Sequence, residues 1–295
     1  MSGGVVDSAQ QSWTVKRMLQ WAIDDFRARG IENPRLDAEV LLSFATGLTR
    51  VQLIVDSERP LEPGELSRFR DCVKRRRAFE PVAYLRGERE FYGRNFRVDA
   101  RVLVPRPDTE TLVRVALERV NDIAMQFDAL DMCTGSGCVA ITLARECPTA
   151  RVHGADISAD ALAVAQENAL RLGAYNVSFA VSDLFANIAT GQHYDIITAN
   201  APYIPTAEIA TLAPDVRNYE PTLALDGGPD GLDIVRRIVD AAPGYLTDGG
   251  ILALEIMAGQ APETASIMKS RGFSDVVATR DYGNIERVVH GIFRK

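Results

Sequence analysis

The chain reads as an α/β fold: a mostly parallel sheet with helices on both faces, preceded by a small helical bundle and a β-hairpin. Three observations predict this. From Thr109 onward, short β-branched apolar runs alternate with segments of helical period, the pattern of a parallel sheet built with right-handed crossovers. Before residue 85 the apolar period is helical throughout. Between 86 and 107 it is close to two. The expected organisation is therefore a helical domain over 1–85, a hairpin linker over 86–108 and a sheet-based domain over 109–295.

The elements follow in order. Trp13, Met18, Trp21, Ala22 and Phe26 recur at helical spacing over 13–29. Pro34 sits in the first turn of a second helix running to Ala45, where its missing N–H costs nothing. Thr49–Val55 predicts a short third helix, and Leu61-Glu-Pro-Gly-Glu65 opens a fourth that runs to about Phe79. Phe91, Gly93, Phe96, Val98, Val102 and Val104 then alternate with polar residues, with the hairpin turn expected near Asp99-Ala100-Arg101. In the sheet-based part, strands are expected to end at Asp131–Met132, at Asp156, at Val181 and at Ala199. Gly249-Gly250 leads into a buried strand, Ile251–Ile256, and Asp275–Ala278 and Val288–Phe293 form the last pair.

Four of these strand ends carry unusual chemistry. The first passes into Cys133-Thr134-Gly135-Ser136-Gly137 and then a helix bearing Val139, Ile141 and Leu143. Glycines between a strand and a helix allow a ligand to approach the backbone closely. The segment lacks the three glycines of the dinucleotide fingerprint. Asp156 closes the next strand, about 20 residues on, where a carboxylate can take both hydroxyls of a ribose. The third strand ends in Ser182-Asp183-Leu184. The fourth delivers Asn200-Ala201-Pro202-Tyr203, which suits a planar primary amide or amine. The Asn oxygen and a backbone carbonyl can each accept one N–H, and a Tyr ring can cover the flat face. Each end alone is an ordinary βα turn; in this order they describe an adenosyl pocket beside an amide clamp.

Together these ends resemble the class I S-adenosylmethionine methyltransferases, and more closely the HemK/PrmC family of protein-(glutamine-N5) methyltransferases that act on peptide-chain release factors. Further stretches carry the likeness. Pro34-Arg-Leu-Asp-Ala-Glu-Val-Leu-Leu42 resembles the family's N-terminal helix. Pro81–Leu85, Glu90-Phe-Tyr-Gly93 and Val104-Pro-Arg-Pro-Asp-Thr-Glu110 resemble its linker. Glu220-Pro221, Ala224-Leu225, Gly227-Gly228 and Asp230–Asp233 match a later segment. The resemblance implies a seven-stranded sheet with an antiparallel edge. It implies that Cys133, Thr134, Gly135, Ser136, Gly137, Asp156, Asp183, Leu184 and Asn200 hold S-adenosylmethionine. Asn200, Ala201, Pro202 and Tyr203 would hold the substrate amide, with Tyr203 packed on it. Ala201 stands where the family motif has its first Pro; it keeps the carbonyl and loses the ring.

Bulk properties fit an enzyme with a sizeable core: 46% hydrophobic and 25% charged residues over 295 positions. No apolar run reaches the ~18 residues of a membrane span. The first residues lack a signal-peptide pattern, so cytoplasm is the expected compartment. Four cysteines without a C-x-x-C pair predict reduced thiols, and three scattered histidines predict no metal site. The net charge of −7 argues against stable nucleic-acid binding. From Arg68 to Arg106, however, twelve Lys/Arg face five Asp/Glu. That stretch is either a solvated, dipole-complementing helix end or a docking face for an acidic partner or for RNA.

An amide nitrogen is a weak nucleophile, so the reaction needs placement more than an acid–base pair. The resemblance implies methylation of the glutamine in the Gly-Gly-Gln motif of release factors. A glutamine of a ribosomal protein, N6 of adenine in DNA, a small molecule, and a non-catalytic module that only binds S-adenosylmethionine remain as alternatives.

Overall fold

A computed structural model of the protein describes residues 12–120 and 126–295. The start of the chain, read above for a leader, lies outside the described residues. The chain divides into two compact units, one ending at Arg86 and one beginning at Gly87.

The first unit is helical: α1 Val15–Ala28, α2 Pro34–Thr46, α3 Arg50–Val55, α4 Pro63–Arg77 and α5 Val82–Arg86. Side-chain oxygens start α1 and α3. Thr14 caps α1 by accepting from the Arg17 N–H, and Thr49 and Gln52 form a reciprocal capping box at α3. Gly47 ends α2 in the left-handed conformation, where a Cβ would be penalised. Val15, Met18, Ala22, Ile23 and Phe26 form the buried face of α1 and meet Leu41, Leu42, Phe69 and Val73. α5 is an element the periodicity did not show, because five residues are too few to display a helical period.

The basic run at the end of α4 is tied down. Arg77 donates to both Asp25 oxygens, Arg76 pairs with Asp37 at 2.8 Å, and Arg75 with Glu80. The Arg77 hydrogen bond is the main cause of a lowered Asp25 pKa, against burial, with Arg29 adding to it. Glu39 shows the same balance: burial pushes its pKa up, but Arg50 and Arg35 outweigh it and the net shift is down. These arginines lace the bundle together, which is the solvated-end reading in a more structural form.

The second unit opens with a hairpin, β1 Glu88–Phe91 and β2 Arg94–Arg97. Its turn is Tyr92-Gly93 and not the expected Asp99–Arg101. Phe91 pairs with Arg94, and Tyr92 and Gly93 both have positive φ, the geometry of a two-residue primed turn. Asp99–Arg101 forms a separate bend, with Asp99 accepting from the Arg101 backbone and guanidinium. Phe91 and Phe96 are fully buried in the core of this unit, so the expected linker is part of it.

The remaining elements alternate as expected: α6 Glu110–Val120, β3 Asp128–Met132, α7 Cys138–Glu146, β4 Arg151–Asp156, α8 Ala159–Leu172, β5 Val177–Val181 and β6 Tyr194–Ala199. A long connection holding the short α9 Pro214–Tyr219 leads to α10 Asp233–Ala241, β7 Leu246–Glu255, α11 Ala261–Ser270, β8 Phe273–Arg280 and β9 Glu286–Phe293. β7 begins earlier than Gly249-Gly250 suggested, because the glycines lie in a bulge where pairing with β6 shifts. The seven strands lie in the order β5-β4-β3-β6-β7-β9-β8, parallel except at β9, which runs antiparallel to both β7 and β8.

Alternation along the central strands feeds two apolar layers. Ala129, Ile196, Ile251 and Ala253 pack with α6 and α7 on one face. Leu130, Met132, Ile197, Leu252 and Leu254 pack with α10 and α11 on the other. Both faces are covered, so the inner strands read as continuous apolar runs. Among the described residues no helix is long and apolar enough to cross a membrane.

Candidate active site

Chain order reverses between β3 and β6. The chain leaves β3 for β4 and β5, then returns to the other side of β3. In open parallel sheets a crevice forms outside the strand C-termini at such a point. Register delivers the expected residues there together. Met132 pairs with Ala155 and with Ala199, Asp156 with Val181, and Ala199 with Leu254. Cys133, Ser182, Asn200 and the β7 terminus therefore emerge side by side with Asp156. A cavity of about 280 Å³ opens at this place.

The turn after β3 is built on buried hydrogen bonds. Thr134 and Thr198 donate to the two oxygens of Asp131 at 2.6 and 2.8 Å. Asp131 is 1% exposed, and burial pushes its pKa up to about 6. The Thr134 N–H reaches the Ala155 carbonyl, and the Gly135 N–H donates to Asp156 Oδ2 at 2.9 Å. Asn168 from α8 donates to the Ser136 and Arg97 carbonyls, fixing the end of this turn to the hairpin. Asp131 was not picked out from the sequence. A carboxylate inside the run Ala-Leu-Asp-Met, three residues before Thr134, was the signal available.

Cys133, Thr134, Gly135, Ser136, Asp156, Asp183, Leu184 and Asn200 all line the cavity. Gly137 does not. A Cβ there would lie 2.8 Å from Ile141 Cδ1 and 3.1 Å from Ala165 Cβ, and its φ is +78°. Gly137 is glycine for helix packing, whereas Gly135, with φ +55° and open space about its Cα, is glycine for the turn. Cys133 has its thiol pKa pushed well up, by burial first and then by Asp156 and Asp131, which disfavours the thiolate.

Asp156 Oδ1 accepts from Ser158 N–H and Oδ2 from Gly135 N–H, both at 2.9 Å. Each oxygen retains a lone pair, which suits a vicinal diol. Burial raises its pKa in spite of these bonds. Asp183 is engaged elsewhere as well: both its oxygens accept from Arg237 Nη2 of α10, at 2.8 and 2.9 Å.

The Asn-Ala-Pro-Tyr segment divides. Asn200 and Pro202 line the cavity. Ala201 is 2% exposed and packs with Leu130 and Met132. Tyr203 does not line the cavity; its hydroxyl donates to Glu255 Oε1 at 3.4 Å. Burial, then Glu255, push the Tyr203 pKa up. The backbone beyond is pinned, with Gln260 Nε2 on the Tyr203 carbonyl at 3.0 Å and Gly227 N–H on the Ile204 carbonyl at 2.9 Å. Asn200 Nδ2 lies 3.2 Å from Thr109 Oγ1, and among the described residues no donor reaches Asn200 Oδ1.

Comparison with known proteins agrees with this arrangement. Residues 17–87 match the PrmC N-terminal domain and residues 129–219 the methyltransferase domain. The 16S rRNA N2 G1207 methyltransferase of Thermus thermophilus, solved with AdoMet and guanosine, superposes with a TM-score of 0.51. That match has 17% identity and covers 70% of this chain and 50% of that one, a likeness of fold. Fold and site thus define a class I methyltransferase.

Longer matches go further. A release factor glutamine methyltransferase of Geobacter sulfurreducens is 45% identical over 95% of this chain and 96% of its own length. One of Chlorobaculum tepidum is 44% identical over 94% of this chain and 97% of its own. The chain belongs to the family of release factor glutamine methyltransferases.

Proposed function

We propose that the protein methylates the side-chain amide nitrogen of the glutamine in the Gly-Gly-Gln motif of peptide-chain release factors, using S-adenosylmethionine. The observation that supports this is Asn200 at the end of β6, lining the cavity beside Asp156 with no donor on its Oδ1 among the described residues. When bound, S-adenosylmethionine supplies an electrophilic methyl group on sulfur. Asp156 holds the ribose through its remaining lone pairs. Cys133, Thr134, Gly135, Ser136 and Leu184 shape the wall around the donor. Asp183 faces it while paired with Arg237.

Asn200 accepts one N–H of the glutamine amide and the Ala201 carbonyl accepts the other. These bonds hold the nitrogen in one orientation and stabilise the positive charge that develops on it. Pro202 stiffens the segment. Tyr203 acts from behind it, through Glu255, in place of a ring laid on the substrate. Ala201 serves through its carbonyl while its methyl fills the apolar layer, so the departure from Pro leaves the chemistry in place.

Transfer of label from S-adenosylmethionine to a purified release factor tests the reading. Asn200→Ala should lower the rate about a hundredfold or more, the cost of a misplaced contact at near-attack geometry. Its affinity for S-adenosylmethionine should stay within a few-fold. Near-normal turnover in Asn200→Ala, or label entering DNA instead of protein, would overturn it.

A further inference from the structure

We propose that Arg106 is a substrate-binding residue, donating to a main-chain carbonyl of the peptide that carries the glutamine, and that Glu220 is the positioning residue that holds its guanidinium. This deepens the function proposed above and rests on it.

Three arginines line the cavity: Arg101, Arg106 and Arg237. Arg101 is turned back on Asp99, donating from Nε and Nη2 at 2.8 and 2.6 Å. Arg237 is held by Asp183, just past the end of β5. Arg106 belongs to the β6 side. Its carbonyl accepts the Thr109 N–H at 3.1 Å, and Thr109 Oγ1 lies 3.2 Å from Asn200 Nδ2. Arg106 is therefore the arginine tied to the residue that takes the substrate amide.

The protein uses only part of this guanidinium. Arg106 Nη2 donates to Glu220 Oε1 at 2.6 Å. Among the described residues Nη2 is the one atom of the group with a partner, and the side chain is 35% exposed. A guanidinium is a rigid fork of five N–H donors, so anchoring Nη2 fixes the directions of the donors on Nε and Nη1.

Glu220 lies 114 residues further on, in the long connection between β6 and α10. Its side chain is 2% exposed, and its N–H donates to the Val216 carbonyl at 3.0 Å at the end of α9. The residues that follow, Pro221 and Leu223, form part of the cavity wall. A buried carboxyl costs stability unless it is paired, and here its partner is an arginine at the cavity. Burial pushes the Glu220 pKa up and Arg106 opposes that shift. The guanidinium donates to Oε1 in either protonation state.

A neutral acceptor fits the donors that are left. A methionine carboxylate on the same guanidinium would stand beside Glu220, and adjacent like charges are disfavoured. The glycines before the glutamine bring no side chains. Their acceptors are main-chain carbonyls, and without Cβ atoms that backbone can approach closely.

The test uses Arg106→Gln, which keeps a donor for Glu220 and loses the rest of the fork. It should raise KM for a purified release factor about tenfold or more, the loss of a charge-assisted bond. kcat should stay within about threefold and S-adenosylmethionine affinity by calorimetry within about twofold. The KM difference should persist at raised salt, because a carbonyl carries no charge to screen. Glu220→Met, or Glu220→Ala should that fail to fold, removes the acceptor and should raise KM in the same way. Glu220→Gln keeps an oxygen and should restore it. If Arg106→Gln does not fold, Arg106→Lys replaces it, since a lysine can still pair with Glu220. Parent-like KM in the folded Arg106 variant would overturn the contact. Weakened S-adenosylmethionine binding with KM unchanged would overturn it in favour of the methionine carboxylate. A KM difference abolished by salt would overturn it in favour of a charged group on the factor. Parent-like KM without the Glu220 acceptor would overturn the positioning role. A parent enzyme that puts no label on release factor would instead remove the reading on which the contact rests.

Discussion

Asp156 and the two turn glycines show how differently neighbouring residues of one motif work. Asp156→Ala removes a buried acceptor whose spare lone pairs face the cavity. We expect S-adenosylmethionine affinity to fall by tenfold to a hundredfold, the loss of charge-assisted bonds worth roughly 1.5–3 kcal/mol. Calorimetry on the folded variant with unchanged affinity would end that assignment. Gly135 and Gly137 separate by stability. An alanine at 137 meets Ile141 and Ala165 as well as an unfavourable φ, whereas at 135 its Cβ meets nothing nearer than the Cys133 carbonyl at 4.0 Å. Gly137→Ala should cost about 1–3 kcal/mol, the usual range for overpacking. Gly135→Ala should cost less stability. Chemical denaturation of the two variants side by side checks the order.

At the scale of elements, the end of α4 and the first unit as a whole make separate predictions. Reversing charge at Arg77 would leave Asp25 beside a new carboxylate and remove the pair that laces α4 to α1. Arg77→Glu should therefore lower the thermal midpoint of the bundle, and the loss should persist in the absence of any partner. A variant with unchanged midpoint and weaker docking would restore the docking-face reading. Because the chain divides at Arg86, a protein starting at Gly87 is expected to fold and bind S-adenosylmethionine. We expect it to methylate full-length release factor poorly, with residues 1–86 contributing recognition. Equal activity on the full-length factor would reduce that segment to a stabilising cap.

For the whole molecule, buried acids set the dependence of stability on pH. Burial raises Glu255 from 4.5 to about 7 and Asp131 from 3.8 to about 6. A carboxyl with a raised pKa binds its proton more tightly in the folded than in the unfolded chain. Its contribution is fully present below the unfolded pKa and is lost as pH rises through the folded one. Asp25 and Glu39, with lowered pKa values, act in the opposite sense and lose their contribution in acid. Unfolding free energy should accordingly peak on the acidic side of neutral and fall between pH 5 and 8. Glu255→Gln removes one of these ionisations, so its decline over the same window should be shallower. Parallel pH profiles for the parent and Glu255→Gln would refute this.

Local pattern and residue chemistry determined much of this protein by themselves. The strands of the sheet, the bundle helices α1 to α4 and the position of Asn200, Asp156 and Gly135 at strand ends that line one cavity were legible because each depends on period, capping or a short motif. The hairpin turn was misplaced because Tyr92 gives no sequence sign of a positive φ; only pairing of Phe91 with Arg94 reveals it. Tertiary structure decided the rest. It separated Gly137, held by helix packing, from Gly135. It turned the basic run at Arg75–Arg77 into ion pairs within the bundle. It also brought Thr109 beside Asn200, and Glu255 beside Tyr203, from distant stretches of chain. Such convergence depends on strand order and register, which no local pattern encodes, because the strands that carry these residues are neighbours only once the sheet has formed.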